Sequence, residues 1–226
     1  MKLIATIVLS ATTLTAGAQS PQLQTVLSSL DKAALSFKSV QADVVYDNYV
    51  KVVHDHSKQT GKIVIERRGK NVTMGAVFFD PGNTQPAKII NYDGSLLHVF
   101  TPGINQDDQF KAGDNQAKYQ SFLTLGFGGS GKELSEAWTI TDLGQETVNG
   151  RHTEKLDLVS KDPSVRNMFT HVTIWIDPSD GLSARQVFFQ PNGDSRTADY
   201  NNLLRNSSIK DRFSIPRSPK PQVVSH

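Results

Sequence analysis

Gly61-Lys-Ile-Val-Ile-Glu-Arg67 is the stretch from which the fold can be worked out. Side chains of a β-strand point alternately to its two faces, so Gly61, Ile63, Ile65 and Arg67 share one face. That face is apolar and ends in a guanidinium, and a buried charge is costly unless a partner compensates it. Two interpretations of Arg67 follow. Either it lies at the end of the strand and reaches water along its apolar stem, or it faces a cavity and hydrogen-bonds backbone carbonyls of a lid.

Alternation with a period of two continues on both sides of this strand. Val40–Val52 alternates apolar and polar residues, and Val72, Met74, Ala76 and Phe78 share one face of the run that follows Gly69. Asn-Gly and Asp-Gly pairs, which tolerate the positive φ angles of hairpin turns, recur down the chain. Further strand-like runs are Lys88–Tyr92, Ser95–Thr101, Trp138–Leu143, Thr153–Ser160, Phe169–Asp177, Leu182–Gln190 and Ser195–Leu203. This pattern indicates an antiparallel meander, and a sheet of about ten strands tends to curl.

Three stretches have helical spacing instead. Gln22–Phe37 has one apolar stripe, Asn115–Leu125 carries aromatic residues, and Lys132–Ala137 predicts a short helix after a glycine loop. These helices are expected to close the open side of the sheet. The predicted fold class is therefore mostly β (α+β): a half-open, strongly curled antiparallel β-sheet or barrel with a helical lid.

Composition and the N-terminus predict an exported protein. The 226 residues include no cysteine and carry a net charge of only +2, which excludes thiolate sites and gives no basic stripe for nucleic acid. Lys2, the apolar run Leu3–Leu9 and the small residues Ala16-Gly17-Ala18 are typical of a secretory signal peptide. We expect a signal peptide over 1–18, one exported domain over 19–216 and a disordered tail over 217–226.

No motif points to catalysis. The run from Gly126 to Lys132 nearly matches a phosphate-binding loop, but Glu133 stands where a magnesium-binding hydroxyl is required. His54 and His56 could share a strand face, yet no third ligand is evident, so a solvated turn is favoured over a metal site. No nucleophile elbow surrounds a serine. We expect no catalytic residue, no metal site and no cofactor, and a protein that is not an enzyme.

A carrier is the function that remains. A curled sheet with an apolar inner face and helical lids makes an apolar pocket, although the same face could be a filled core. The residues expected to line the cavity are Ile63, Ile65, Val72, Met74, Phe78, Ile90, Leu97, Val99, Val172, Ile174 and Ile176.

Several segments, in order along the chain, resemble those of the periplasmic outer-membrane lipoprotein carriers, the LolA-like family. They are Leu30-Asp31-Lys32 with Phe37–Ala42, the glycine–strand–arginine segment 61–67, the hairpin Tyr92–Pro102, the late hairpin Val172–Asp177 with Asp180-Gly181, and Ile209–Pro216 with its F-x-x-P element. Two departures are Arg68, where the family usually has proline, and the long glycine-rich segment Gln106–Ala137.

The resemblance implies a function and a role for one arginine. It implies a hydrophobic cavity for the acyl chains of lipoproteins, with Arg67 holding the lid shut through hydrogen bonds. A carrier of lipidated proteins or lipids would act as a monomer between an inner-membrane donor and an outer-membrane acceptor. The alternative is a non-enzymatic envelope sensor or adaptor that uses the same fold to bind a protein, because fold alone does not fix function. A hydrolase with an unrecognised site is the third hypothesis.

Overall fold

The computed structural model describes residues 21–69, 71–111, 113 and 124–226. Within them the helices are α1 (Pro21–Leu35), α2 (Gly131–Ala137) and α3 (Pro163–Met168), with a 3-10 turn at Pro102–Ile104. The strands are β1 (Ser39–Val50), β2 (Asp55–Arg68), β3 (Asn71–Phe79), β4 (Lys88–Tyr92), β5 (Leu96–Thr101), β6 (Gln106–Lys111), β7 (Trp138–Val148), β8 (Arg151–Ser160), β9 (His171–Asp177), β10 (Leu182–Phe189), β11 (Ser195–Arg205) and β12 (Gln222–Ser225).

All twelve strands form one sheet in the order β12-β6-β5-β4-β3-β2-β1-β11-β10-β9-β8-β7. Neighbouring strands run antiparallel except β12, which pairs with β6 in parallel. The two outermost strands, β12 and β7, are not paired with each other, so the sheet stays open. The predicted fold class, a half-open curled antiparallel sheet with helices on one side, is confirmed.

The register places the alternating residues of the sequence on one common face. Ile63 lies opposite Ala76, which lies opposite Ile90, and Ile90 lies opposite Val99. We call this the concave face, because α1 and the loop before α2 pack against it. The reverse face, which carries Glu66, is called the convex face. Strand parity in the sequence thus predicts which side chains meet across four strands.

Helix α1 buries its apolar stripe on the late strands. Leu23, Val26, Leu27 and Leu30 pack against concave residues of β8 and β9. None of the described helices is long and apolar enough to cross a membrane. The predicted signal peptide over 1–18 and most of the predicted helix Asn115–Leu125 lie outside the described residues, so both stay predictions.

The turn between β1 and β2 differs from its prediction. The sequence suggests a polar turn over His54–Ser57, whereas the turn occupies residues 51–54 and β2 begins at Asp55. Val50 pairs with Asp55, so the ladder holds its register almost to the tip, and His54 takes up the positive φ angle of 52°. The polar residues of this hairpin therefore belong to an exposed strand.

The tail also differs from its prediction. Prolines and polar residues suggested disorder over 217–226, but Gln222–Ser225 forms β12 along the edge of β6. Backbone amides at both ends of β12 donate hydrogen bonds to the carbonyls of Asn105 and Gln109. An edge strand offers unpaired backbone groups to any extended segment, whatever its side chains. Side-chain composition could not signal this pairing, and the same holds for polar β6, which the sequence analysis missed.

Candidate functional site

Six of the eleven predicted cavity-lining residues lie in the packed interior. They are at most 9% exposed and belong to two clusters on the concave face: Ile63, Ile65 and Val72 in one, Val172, Ile174 and Ile176 in the other. Helix α1 covers the second cluster, and Phe37 and Phe127 pack into the first. Their acyl-binding role stays a prediction. In the structure these six residues belong to a filled core and do not line an open cavity.

The other five predicted residues are only half-buried. We define the half-buried patch as Met74, Phe78, Ile90, Leu97 and Val99, on the concave face of β3, β4 and β5. Three of them pack against the first cluster from its margin. The patch therefore continues the packed interior into a region where apolar side chains still have accessible surface.

A lid segment, defined as Thr124–Ala137, closes over the middle of the concave face. Its loop pairs with the start of β10: the Ser183 amide donates to the Gly126 carbonyl at 2.7 Å, and the Gly128 amide donates to the Gly181 carbonyl at 3.1 Å. The Phe127 side chain inserts between the loop and the sheet. Its ring centroid lies 4.8 Å from that of Tyr200, and the two rings are perpendicular. Backbone pairing and an aromatic plug thus fix this part of the lid.

Gly128 explains why the loop is rich in glycine. It has a φ angle of 71°, and an added Cβ would collide with the ring of Phe37. Only glycine combines a left-handed backbone with such a close approach at little cost. The glycine run that nearly matched a phosphate-binding loop is therefore accounted for by packing.

Helix α2, at the end of the lid, is tied to α1. Its capping box is complete, because the Ser130 amide donates to the Glu133 carboxylate at 2.9 Å and the Glu133 amide donates to the Ser130 hydroxyl at 3.1 Å. The Asp31 side chain accepts from the Lys132 amide, and Gly131 lies against the backbone of Leu27. The two helices thus form one unit above the sheet.

Arg67 contacts this unit. Its Nη1 lies 3.6 Å from Glu133 Oε2, and its side chain is 20% exposed, so it does not point into bulk solvent. The expected partners were backbone carbonyls or hydroxyls of a lid, whereas the contact found is the carboxylate that caps α2. Its Nε atom is buried without a hydrogen-bond partner among the described residues. The geometry is that of a weak ion pair between β2 and the lid, and its role as a latch stays a prediction.

Two buried side chains under the lid hydrogen-bond to each other and to the lid backbone. The Tyr200 hydroxyl donates to Gln186 Oε1 at 3.0 Å, and Gln186 Nε2 donates to the Leu125 carbonyl at 2.5 Å. Burial raises the pKa of Tyr200 far above its ordinary value, and burial also raises the pKa of Tyr46, nearer the patch. A phenol is neutral at physiological pH already at its ordinary pKa, and burial disfavours the phenolate of both residues further, which suits an apolar binding face.

The histidines of the β1–β2 hairpin bind their neighbours. His54 Nδ1 lies 3.0 Å from the Tyr49 hydroxyl, and His56 Nδ1 lies 3.1 Å from Asp47. No group of three or more metal-ligating side chains occurs in the part of the chain that is described. His54 therefore lies in the turn and His56 on the exposed start of β2, and each ring contacts a neighbouring side chain of β1.

Several site residues escaped the sequence analysis. Phe37, Phe127 and Leu182 complete the core under the lid, and Glu133 supplies the partner of Arg67. One signal was available, because Ser-x-x-Glu from Ser130 to Glu133 is the pattern of a capping box. It would have fixed the start of α2 but not its contact with β2, which depends on the fold.

The comparisons with known proteins identify similar structures only. No family model and no curated protein matches the chain. An uncharacterised conserved protein from Thermus thermophilus matches with a TM-score of 0.55 and 13% identity, over 91% of this chain and 99% of that one. MucB matches with a TM-score of 0.54 and 16% identity, over 92% of this chain and 67% of that one.

Two further structures add context. A complex of Pseudomonas aeruginosa MucA and MucB matches with a TM-score of 0.50 and 16% identity, and this chain covers 63% of the matched chain. A LolA superfamily protein from Nitrosomonas europaea matches with 14% identity over 85% of this chain and 97% of that one. The TM-score of that match is 0.41. At these identities the comparisons show the fold alone.

Proposed function

We propose that this protein is a periplasmic, non-enzymatic carrier that binds acyl chains of lipoproteins or lipids on its concave face. The observation that carries the proposal is the half-buried patch, five apolar side chains next to a fully packed apolar core. An acyl chain laid on the patch would replace water by apolar contact without unpacking that core. In this proposal the bound segment lies on Met74, Phe78, Ile90, Leu97 and Val99, and the buried six residues support it from behind.

The energetics favour partial enclosure. Burying acyl chain yields about 0.8 kcal/mol per CH₂ group. Full burial of a sixteen-carbon chain would yield roughly 12 kcal/mol, and several such chains would exceed the practical affinity ceiling of about 18–21 kcal/mol. A carrier must release its cargo to an acceptor, so a patch that covers one side of each chain suits the task better than a closed cavity.

The lid gives a route for release. Its loop is fixed by backbone pairing, but the ion pair that joins α2 to β2 is a long one, at 3.6 Å, in which Glu133 is half-exposed. Exposed ion pairs contribute only about 0–1 kcal/mol. In this proposal cargo entering beside Arg67 separates α2 from β2, and closing helps expel the cargo to an outer-membrane acceptor after loading by an inner-membrane donor.

Native mass spectrometry of the protein purified from the bacterial envelope tests the proposal. The expected result is a set of acylated adducts that detergent removes, together with uptake of an added triacylated lipopeptide. Reproducible absence of adducts and of uptake would contradict the carrier function.

A second candidate is an envelope adaptor that binds a protein. The observation that favours it is the exposed apolar tip of the β1–β2 hairpin, where Val52 is 85% and Val53 66% exposed. Exposed valines at a loop tip suit contact with another surface. MucB, which shares the fold, occurs in a complex with MucA.

Replacing Val52 and Val53 by serine separates the two candidates. The adaptor hypothesis expects the double variant to lose a membrane-bound regulator in a pull-down while lipopeptide uptake is unchanged. The carrier proposal expects the double variant to take up lipopeptide as well as the parent does. It also expects that the parent protein captures no membrane-bound regulator.

A further inference from the structure

A cavity lies on the convex face, on the opposite side of the sheet from the half-buried patch. Its volume is about 500 Å³, within the range of small-molecule sites. One wall is the sheet, through Asn91, His98 and Asp107, and the other is the C-terminal strap, which we define as residues 207–221. The strap contributes Ser214, Ile215, Pro216, Arg217, Lys220 and Pro221, and Val223 of β12 completes the lining.

The strap is firmly attached to the sheet, so the cavity is a lasting feature. Phe213 and Ile215 pack against a convex cluster that includes Phe100. Arg212 binds Glu66 through two hydrogen bonds, at 2.7 and 3.1 Å, and its carbonyl accepts from the Asn91 side chain. Beyond the strap, β12 pairs with β6 and closes the far end.

A histidine–carboxylate pair forms the floor of the cavity. His98 Nδ1 lies 2.9 Å from Asp107 Oδ2, which also accepts from Gln109 at 2.7 Å. Asp107 is only 5% exposed, and its Oδ1 is buried without a hydrogen-bond partner among the described residues. A carboxylate so incompletely paired is costly to bury, so stability does not account for it. Its effect is to fix the ring of His98 and leave Nε2 as the nitrogen available to a ligand.

The charge of the lining points to an anion. Arg217 and Lys220 line the cavity, and neither makes an ion pair with a carboxylate in the described part of the chain. These two cations outnumber the one carboxylate, Asp107. Guanidinium and ammonium groups bind phosphate oxygens through charge-assisted hydrogen bonds. With its Nδ1–H donated to Asp107, His98 can accept a hydrogen bond at Nε2 from a protonated phosphate oxygen.

We propose that this cavity binds a phosphate monoester, with Arg217 and Lys220 on the phosphate and His98, positioned by Asp107, as its third contact. The site is independent of the acyl-binding patch and would operate whether or not the carrier proposal holds. Two sources share this chemistry: a soluble phosphate ester, and the headgroup of phosphatidic acid, whose tails would extend along Ile215 and Pro216.

Calorimetric titration of the full chain with glycerophosphate and with short-chain dihexanoylphosphatidic acid tests the site. We expect glycerophosphate to bind in the millimolar class or tighter and glycerol not to bind at all. Tighter binding of the phosphatidic acid would assign the site to the lipid, and equal affinity would assign it to the soluble ester. Absence of glycerophosphate binding up to about 10 mM would overturn the proposal, because a weaker affinity falls outside even the millimolar class.

Matched variants locate the binding. Asp107→Asn keeps the shape of the side chain but weakens the orientation of His98, and we expect the affinity to fall about tenfold. Arg217→Gln with Lys220→Gln changes only exposed strap residues and should remove binding. Asp55→Asn, the same change at the exposed start of β2 and outside the cavity lining, is the control and should bind like the parent. Equal affinity in all four proteins would overturn the assignment.

An NMR titration tests whether Asp107 positions His98 for the ligand or only stabilises the fold. The ¹⁵N signals of the His98 imidazole should shift with glycerophosphate in the parent protein, and the shift should shrink in the Asp107→Asn variant while its melting temperature stays near that of the parent. A His98 signal that ignores the ligand would contradict the role given to the ring.

Discussion

The two halves of the concave face, around β8 and β9 and around β4 and β5, carry the same kind of apolar side chain but differ in how completely those side chains are covered. Around β8 and β9 each apolar side chain is covered: Leu156, Leu158, Val172 and Ile174 are 0% exposed beneath α1. Around β4 and β5 equivalent positions of the pleat carry Ile90, Leu97 and Val99, which are half-buried. Alternation in the sequence is equally good in both halves, so it reports which face a residue occupies but not what covers it.

The largest expected effect is a difference in stability between two leucines. Leu158→Ala removes a fully covered side chain and should lower the free energy of unfolding by about 2–5 kcal/mol. Leu97→Ala makes the same chemical change in the half-buried patch and should lower it by about 1 kcal/mol, since part of the side chain is already in water. Urea unfolding of both variants measures the difference, and similar losses would mean that the patch is as well packed as the core.

A pair of glycines tests how tightly the lid lies on the packed half. Gly128 and Gly82 have similar φ angles, 71° and 76°, but an added Cβ meets Phe37 at Gly128 and nothing within 4 Å at Gly82. Gly82→Ala should lower the stability by about 1–2 kcal/mol from backbone strain alone. Gly128→Ala should lower it by a further 1–3 kcal/mol or so from overpacking. Equal losses in urea unfolding would show that the lid gives way at Phe37.

The latch gives a smaller effect, which is confined to α2. Arg67→Leu removes the 3.6 Å contact with Glu133 and leaves the capping box intact. We expect a change in global stability of about 1 kcal/mol or less, and amide exchange in α2 that is faster by up to about fivefold.

Arg68→Leu is its control, because Arg68 lies on the convex side and contacts Glu66. It should leave exchange in α2 unchanged. If both variants exchange like the parent, Arg67 holds nothing shut and the latch interpretation is wrong.

The smallest effect is a pH dependence of the strap behind the patch. The hydrogen bonds from Arg212 hold the pKa of Glu66 below its ordinary value of 4.5. A lowered pKa in the folded state means that the pair stabilises the strap above about pH 4.5, and that this contribution is lost as the pH falls through the lower folded value. The protection factors of residues 211–215, which are exchange rates corrected for the intrinsic pH dependence of amide exchange, should therefore fall in acid, and Glu66→Gln should remove most of that fall. A fall of equal size in the variant would assign it to another group.

The sequence predicted the parts of the fold that local patterns encode. Parity in Gly61–Arg67 and in β3 gave the concave face, because period two is a property of a single strand. Strands β6 and β12 were missed, since their stability comes from pairing at an edge and not from alternating side chains. The contact of Arg67 with Glu133 joins residues far apart in the chain, so only the fold could identify that partner.

For the same reason the sequence could not separate the buried residues of the candidate site from the half-buried ones. It named Ile174 and Val99 alike as cavity residues, and the structure buries the first completely and leaves the second half-buried. What separates them is α1, whose apolar stripe was predicted but whose docking position was not.

Acyl binding by two matched valine variants is the most direct test of the central claim, that the half-buried patch is the binding surface. Val99 lies in the patch, and Val45 is 36% exposed on the convex face of β1. Fluorescence titration with dansyl-labelled undecanoic acid should show affinity about tenfold or more weaker for Val99→Asn, because an amide on the patch must be desolvated by the chain. Val45→Asn should bind like the parent. Equal affinity of the two variants would place acyl binding elsewhere and contradict the account.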